Sequence, residues 1–138
     1  DTNTFKIWFK PLGSNEKFGI SYINISNRIQ GSAWFFNVNY SVQTNRWYHV
    51  VTTHSGNTTK TLSLWVDGIL RDSRGPTSTK FIPATGFNIG SNFSVLSSSQ
   101  TAMGVVDAVG VWDRVLTSSE ITALYNSGNG YEIDVLSP

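Results

Sequence analysis

The segment 104–128, GVVDAVGVWDRVLTSSEITALYNSG, constrains the fold most, because strand, cap and helix signals follow one another in it. Its first half alternates with a two-residue period and is apolar on both faces, which predicts a strand buried on both sides. Thr117 and Glu120 have the spacing of a capping box, in which each side chain bonds the backbone N–H of the other. A helix of two turns should follow, with Gly128 as the left-handed residue that ends it.

Most of the remaining chain has the pattern of short strands joined by polar turns. Alternating residues predict strands within 5–10, 18–25, 33–42, 45–53, 62–66 and 87–90. Residues 24–31 should turn the chain, and 71–80 and 91–101 should be exposed connections. Asp67-Gly68 between apolar residues predicts a hairpin, whose type I′ turn needs positive φ at both positions. About eight strands with one helix and no repeat indicate an all-β sandwich or barrel.

Size and charge exclude several classes of protein. With 138 residues the chain should form one domain at 1–130, followed by a closing strand or C-terminal tail at 131–138. Ten Lys and Arg against nine Asp and Glu give a net charge of +1 without a basic cluster, so no nucleic-acid partner is expected. Cys is absent, which excludes disulfides and thiolate metal sites. No apolar run approaches the roughly 20 residues of a membrane helix, so membrane insertion is not expected.

Four motifs, in order and spacing, resemble those of laminin-G-like and pentraxin-like domains. The closing segment 109–121 is similar to the family signature in which a strand ending in Trp or Tyr precedes Asn/Asp-Arg-x-Leu-Ser and a short Glu-Ile helix. The earlier motifs are WFKP at 8–11, WYHVV at 47–51 and LWVDG at 64–68. The resemblance covers nearly the whole chain. It implies a concanavalin A-like jelly-roll sandwich of two antiparallel sheets, one concave and one convex, with one short helix near the C-terminus.

The resemblance also bears on calcium, which some members of the family bind at one rim. Pentraxins place calcium ligands in the loop before the closing strand, whereas the matching residues here, 91–94, carry no carboxylate. A hard cation needs several oxygen ligands with enough negative charge among them, so the paired pentraxin site should be missing. A weaker single calcium site built from carbonyl oxygens and Asp107 or Asp72 stays open, and no other cofactor is expected.

Few ionisable residues are candidates for chemistry. Asp107 should be buried, and a structural hydrogen-bonding role is favoured for it over metal ligation. His49 should pack in the core, while His54 is placed in a loop without a carboxylate or nucleophile nearby in sequence. No strand carries the closely spaced carboxylates that retaining glycosidases hold about 5 Å apart, and other catalytic motifs are missing. The chain is therefore predicted not to be an enzyme.

A sugar-binding site needs exposed aromatic rings beside amides, because rings stack on C–H faces and amides bond hydroxyls. The candidate ligand-binding residues are Trp34, Asn37, Asn39, Tyr40, Trp65 and Asn92. Packing is the competing interpretation for each aromatic residue, and Trp8, Trp47 and Trp112 are assigned to core positions.

Fold does not dictate function, so two hypotheses from different classes follow. The first is a non-catalytic, lectin-like recognition or adhesion module that binds a glycan or a surface protein, in an extracellular setting, at a cell surface or on a virion exterior. The alternative is a structural or decoration domain of a virion (capsid or tail fibre) or surface assembly, which packs against other subunits. Both are compatible with a chain that is part of a larger protein or of a homo-oligomeric assembly.

Overall fold

The computed structural model describes residues 3–9, 19–23, 28–33, 36–43, 46–55, 61–75 and 105–130. These stretches contain the strands β1 (Asn3–Phe9), β2 (Gly19–Ile23), β3 (Arg28–Ala33), β4 (Phe36–Ser41), β5 (Tyr48–His54), β6 (Leu62–Val66), β7 (Ile69–Arg74) and β8 (Val106–Trp112). The helix α1 (Ser118–Tyr125) and a 3-10 turn (Asn126–Gly128) follow β8. The strand predicted at 87–90, the loop at 91–101 and the tail at 131–138 lie outside the described residues.

The strands form two antiparallel sheets that pack face to face. The larger sheet has the order β7-β6-β5-β1-β8, and the smaller one has the order β2-β3-β4. β3 and β4 lie over β6 and β7, and β2 contacts β5. The helix α1 covers the other face of the larger sheet, where Ile121 packs against Val51. This arrangement confirms the predicted all-β sandwich of two antiparallel sheets with one short helix near the C-terminus.

β5 is the strand that is buried on both faces. All seven of its residues are buried, and it lies in the middle of the larger sheet. Val50 belongs to the core between the sheets, together with Leu64 of β6 and Val38 of β4. Val51, on the opposite face, packs with Ile121 of the helix. Because both faces of β5 are covered, apolar residues occur at both parities of its sequence.

The prediction of a doubly buried strand at 105–112 is wrong. Among the described strands, β8 lies at the end of the larger sheet and pairs with β1. Val105 and Val111 are 54% and 61% exposed. The pairing with β1 also shifts register in the middle of β8, where Ala108 has a φ of 49°. Val106 and Val109 pack against the core between the sheets and Trp112 packs beneath α1, so β8 is partly covered on each face but buried on neither.

Two segments predicted to be turns or connections are strands. β3 occupies part of the expected turn at 24–31, and Ile29 and Gly31 face the core from it. β7 extends into the expected connection at 71–80, and most of its side chains are exposed. Both strands are short and carry polar residues on their solvent side. Their composition is therefore close to that of a loop.

The predicted hairpin at Asp67-Gly68 is confirmed. Asp67 and Gly68 join β6 to β7 with φ values of 54° and 74°, both positive as a type I′ turn requires. A Cβ atom at Gly68 would lie 3.1 Å from Cδ1 of Tyr125 in α1. The glycine therefore serves both the turn and the close packing of the helix on the hairpin.

The predicted capping box is also confirmed. The backbone N–H of Glu120 donates to Thr117 Oγ1 at 3.3 Å, and the backbone N–H of Thr117 donates to Glu120 Oε2 at 2.7 Å. The Arg114 guanidinium donates two further hydrogen bonds to the Glu120 carboxylate, at 3.0 and 2.6 Å. These bonds lower the pKa of Glu120 from 4.5 to about 2, Arg114 having the largest effect.

The helix ends earlier than predicted. Asn126, with φ 47° and ψ 49°, is the left-handed C-cap, and its backbone N–H donates to the carbonyl of Thr122. Gly128 is left-handed as well, but it lies within the 3-10 turn that follows. Asn is the non-glycine residue that most readily adopts this conformation, which explains why the helix can end there.

We expect Thr117→Ala to lower the free energy of unfolding by about 1 kcal/mol, because it removes the N-cap acceptor. The pKa of Glu120 is lowered in the folded protein. Its carboxylate therefore stabilises the fold above pH 4.5, and this stabilisation is lost as the pH falls towards 2. Thermal unfolding at neutral pH measures the cap. Ser119→Ala, at an exposed position of the same helix turn, is the control and should unfold like the wild type. Equal melting temperatures for both variants would contradict this interpretation of the cap.

Candidate functional site

The Asp67 carboxylate joins the hairpin to the start of β5. Oδ1 accepts the backbone N–H of His49 at 3.1 Å, and Oδ2 accepts from Arg46 at 2.9 Å. The Asp67 side chain is 12% exposed, whereas the Arg46 side chain is 59% exposed. The Arg46 guanidinium also stacks over the Tyr48 ring at 4.9 Å. Asp67 is therefore a structural residue of the turn.

The Asp72 carboxylate joins the two sheets at one edge of the sandwich. Oδ2 accepts the backbone N–H of Asn39 in β4 at 2.9 Å, and Oδ1 accepts the backbone N–H of Ser73 at 2.8 Å. Beside it, the Arg71 guanidinium lies 4.6 Å from the centre of the Tyr40 ring. These contacts fix the position of β4 relative to β7.

Asp107 is exposed, which corrects the expectation that it is buried. Its Oδ1 accepts the backbone N–H of Ala108 at 2.8 Å, next to the register shift of β8. Because β8 lies at the end of the described sheet, the carboxylate keeps its contact with solvent. Its bond to the next residue in β8 is a structural hydrogen bond made by an exposed carboxylate, not by a buried one.

The two histidines lie on opposite faces of β5. His49 is fully buried, with its ring centroid 5.9 Å from that of Tyr125, so the predicted packing role is confirmed. The sequence predicts His54 in a loop, whereas it is the last residue of β5 and is 2% exposed. Burial is the main cause that lowers the pKa of His54 below 6.5.

The burial of His54 predicts that stability falls as the pH drops below about 6.5. Because its pKa is lowered in the fold, the unfolded chain binds the proton more readily. The neutral imidazole's contribution is complete above 6.5 and is lost as the pH falls towards the lowered pKa. Urea unfolding at about pH 7.5 and about pH 5.5 measures the loss, and His54→Gln should reduce it. Identical pH dependence in the wild type and in His54→Gln would contradict the prediction.

Within the described stretches, no group of three or more His, Cys, Asp or Glu side chains could hold a metal ion. Asp72 and Asp107 lie on strands at opposite ends of the larger sheet. A weak calcium site would therefore use one of them together with carbonyl oxygens. Calcium is accordingly a variable in the binding experiment proposed below.

The structure separates the predicted ligand-binding residues into different places. Asn37 and Asn39 lie together on the outer face of β4, because Val38 between them faces the core. Tyr40 is on the core side of the same strand, where it packs against the core cluster. Trp65 packs beneath α1 with Trp112 and Val51, as a packing residue would. Trp34 and Asn92 lie outside the described residues.

The sequence analysis missed the residues of β3 that share this surface with Asn37 and Asn39. Gln30 pairs with Asn39, and Arg28 pairs with Ser41, so the paired residues lie on the same face. We call the outer surface formed by Arg28, Gln30, Asn37, Asn39 and Ser41 the amide face. The signal that could have revealed it is the alternation of polar residues at 28, 30 and 32 with Ile29 and Gly31.

Some large apolar side chains are exposed, and the sequence predicts one of them in the core. Trp47 was assigned to the core, but it precedes β5 and is 44% exposed. Ile69 and Leu70, which follow the hairpin turn, are 53% and 46% exposed. Trp112 does pack against the cluster beneath α1, in agreement with its core assignment.

Two antiparallel sheets in a sandwich, with a polar outer face on one sheet and a helix on the other, are compatible with the concanavalin A-like class of proteins. A laminin G family model, described as the concanavalin A-like lectin/glucanases superfamily, matches residues 1–122. The chain belongs to this family. No curated protein matches its sequence.

Solved structures with the same fold come from larger proteins. Trypanosoma rangeli sialidase in complex with sialic acid is 20% identical, with a TM-score of 0.59, over 93% of this chain and 23% of that chain. The binding domain of Paraclostridial Mosquitocidal Protein 1 is 18% identical, with a TM-score of 0.60, over 92% and 37%. The Botulinum Neurotoxin Type G receptor binding domain is 10% identical, with a TM-score of 0.54, over 91% and 38%. The chain thus spans less than two fifths of each, and at these identities the likeness shows the fold alone.

Proposed function

We propose that this chain is a non-catalytic recognition module, lectin-like in function, that binds a glycan or a glycosylated surface protein. The observation that carries the proposal is the amide face, a polar surface on a sheet of a concanavalin A-like sandwich. Two of the similar structures are described as a receptor binding domain and a binding domain, which supports a recognition function.

The contacts of the carboxylates support the non-catalytic part of the proposal. Asp67 and Asp72 accept backbone N–H groups and hold the fold together, so neither is placed as a proton donor or nucleophile. A glycosidase needs two carboxyl groups about 5 to 9 Å apart across a cleft. We expect no release of reducing sugar when the chain is incubated with oligosaccharides, and measurable turnover would overturn this part of the proposal.

A glycan array followed by calorimetry tests the recognition function. We expect reproducible binding to a defined group of glycans, with dissociation constants in the millimolar to micromolar range, roughly −4 to −8 kcal/mol. Titrations with calcium and with a chelator show whether a cation takes part. An absence of binding across the array, with a folded protein, would count against the proposal.

The second candidate is a structural or decoration domain that packs against other subunits. The exposure of Trp47, Ile69 and Leu70 near the hairpin favours it, because large exposed apolar side chains are typical of protein contacts. Under either function we propose an extracellular, cell-surface or virion setting. Within the described part of the chain, no helix is long and apolar enough to cross a membrane.

A further inference from the structure

We propose that the amide face is the ligand site and that its ligand is an uncharged, hydroxyl-rich oligosaccharide. This inference rests on the proposed recognition function and deepens it. The proposed site lies on the smaller sheet, on the side of the sandwich that faces away from α1.

The register of the smaller sheet brings three amides close together. Gln30 lies directly opposite Asn39, which places their Cβ atoms about 5 Å apart. Asn37 is two residues from Asn39 on the same face, which corresponds to about 7 Å along the strand. The bond from the Asn39 N–H to Asp72 fixes the position of β4 at this point. The three amides therefore form a compact, rigidly supported group that a short saccharide could span.

Strand formation gives no reason for asparagine at positions 37 and 39. Asn is disfavoured in strands, where β-branched residues are preferred on a half-exposed face. The core packing of β3 and β4 comes instead from Ile29 and Val38 on the opposite face. Asn39 Oδ1 is buried without a hydrogen-bond partner, which opposes folding rather than supporting it. Residues that a strand disfavours, and that bring no gain in packing or hydrogen bonding, are typical of a functional surface.

The chemistry of the face indicates the class of ligand. An amide both donates and accepts hydrogen bonds, and so does a sugar hydroxyl, so amide groups match hydroxyl groups. Because Asn39 Oδ1 is buried, Asn39 could take part only through its NH2 group. The described side chains of the face are all polar, which does not suit a lipid or an apolar peptide. They include no aromatic ring of the kind expected from the sequence, so recognition on this face rests on hydrogen bonds rather than on ring stacking. Arg28 is the one charged residue among them and lies at the end of the face, beside Ser41. An acidic sugar would find one cation there, whereas the three amides suit a neutral saccharide.

The test replaces the amides by the residue that a strand prefers. The variant carrying Gln30→Thr, Asn37→Thr and Asn39→Thr should lose at least about tenfold in affinity for the best glycan of the array, the loss that about 1.4 kcal/mol produces. Its melting temperature should equal or exceed that of the wild type, because the variant removes a buried unpartnered oxygen and raises strand propensity. Asn129→Ser removes an exposed amide beyond α1 and is the matched control, which should bind as the wild type does.

The outcomes separate the site from the function. If the wild type binds glycans and the triple variant binds equally well, the site is elsewhere and this inference fails while the proposed function stands. If the wild type binds only acidic glycans, the ligand class is wrong. If it binds no glycan, both proposals fail. If the triple variant melts at a lower temperature than the wild type, the single variant Asn37→Thr is the test. It should lose affinity for the glycan while its melting temperature stays unchanged.

Discussion

Gly31→Val is expected to lower the free energy of unfolding by about 3 kcal/mol, at the upper end of the cost of overpacking a core. A Cβ atom at Gly31 would lie 2.5 Å from Thr52 Cγ2 and 2.9 Å from Val38 Cγ2. Both neighbours are fully buried, so neither can move away into solvent. Thr52 belongs to β5 across the sandwich, and Val38 belongs to β4 beside Gly31. The substitution therefore forces the sheets apart at the centre of the core.

Thermal and urea unfolding measure this loss, which corresponds to a decrease of roughly 10 °C in melting temperature for a domain of this size. Gly75→Ala is the matched control, because Gly75 is exposed and does not adopt a positive φ. We expect it to unfold within about 0.5 kcal/mol of the wild type, as surface substitutions usually do. A loss below about 1 kcal/mol for Gly31→Val would mean that the two sheets are less closely packed at β3 than the structure has them.

Gly31 also shows why part of the fold escaped the sequence analysis. In sequence it lies among polar residues and has the pattern of a turn, because glycine is a strong signal of chain reversal. In the structure it is needed for the close approach of β3 to β5, a contact between residues far apart in the chain. The strand β3 was missed for this reason, and Gln30 of the amide face was missed with it.

The features that were predicted well are those that depend on neighbours in sequence. The capping box of Thr117 and Glu120 and the turn at Asp67-Gly68 each need only a few consecutive residues, and both are confirmed. The two-sheet architecture followed from motifs spread along the chain. The conformations of the capping box and of the hairpin turn are set by a few adjacent residues, so the sequence pattern is enough to predict them.

The burial of individual strands could not be predicted in the same way. β5 and β8 are both rich in apolar residues, yet β5 is buried throughout and β8 exposes Asp107 and Val111. The difference lies in strand order, because β5 is central in the larger sheet and β8 is at its end. Periodicity reports which residues share a face but not which neighbours cover it. The error on Asp107 has this cause, whereas Trp47 is exposed because it precedes β5 and is not part of it.

Asp67→Ala is expected to be the second large effect, lowering the free energy of unfolding by about 3 kcal/mol. The backbone N–H of His49, in the buried strand β5, would lose its carboxylate acceptor, at a cost of about 1 to 3 kcal/mol. Alanine also tolerates the positive φ of position 67 less well than aspartate, which adds about 1 kcal/mol. The ion pair with Arg46 contributes at most about 1 kcal/mol, because Arg46 is largely exposed.

These contributions predict an order of variants that urea unfolding can test. Asp67→Asn keeps an oxygen acceptor, and asparagine also adopts positive φ readily. We therefore expect it to lower the free energy of unfolding by little more than the contribution of the ion pair. Arg46→Ala removes the same ion pair from its exposed end and should likewise cost less than about 1 kcal/mol. If Asp67→Ala were no worse than Arg46→Ala, Asp67 would act only through its charge. If Asp67→Asn were as damaging as Asp67→Ala, the backbone acceptor and turn conformation would not be the main contributions. Either result would remove the argument that this hairpin is held to β5 chiefly by the hydrogen bond from the His49 N–H to Asp67 Oδ1.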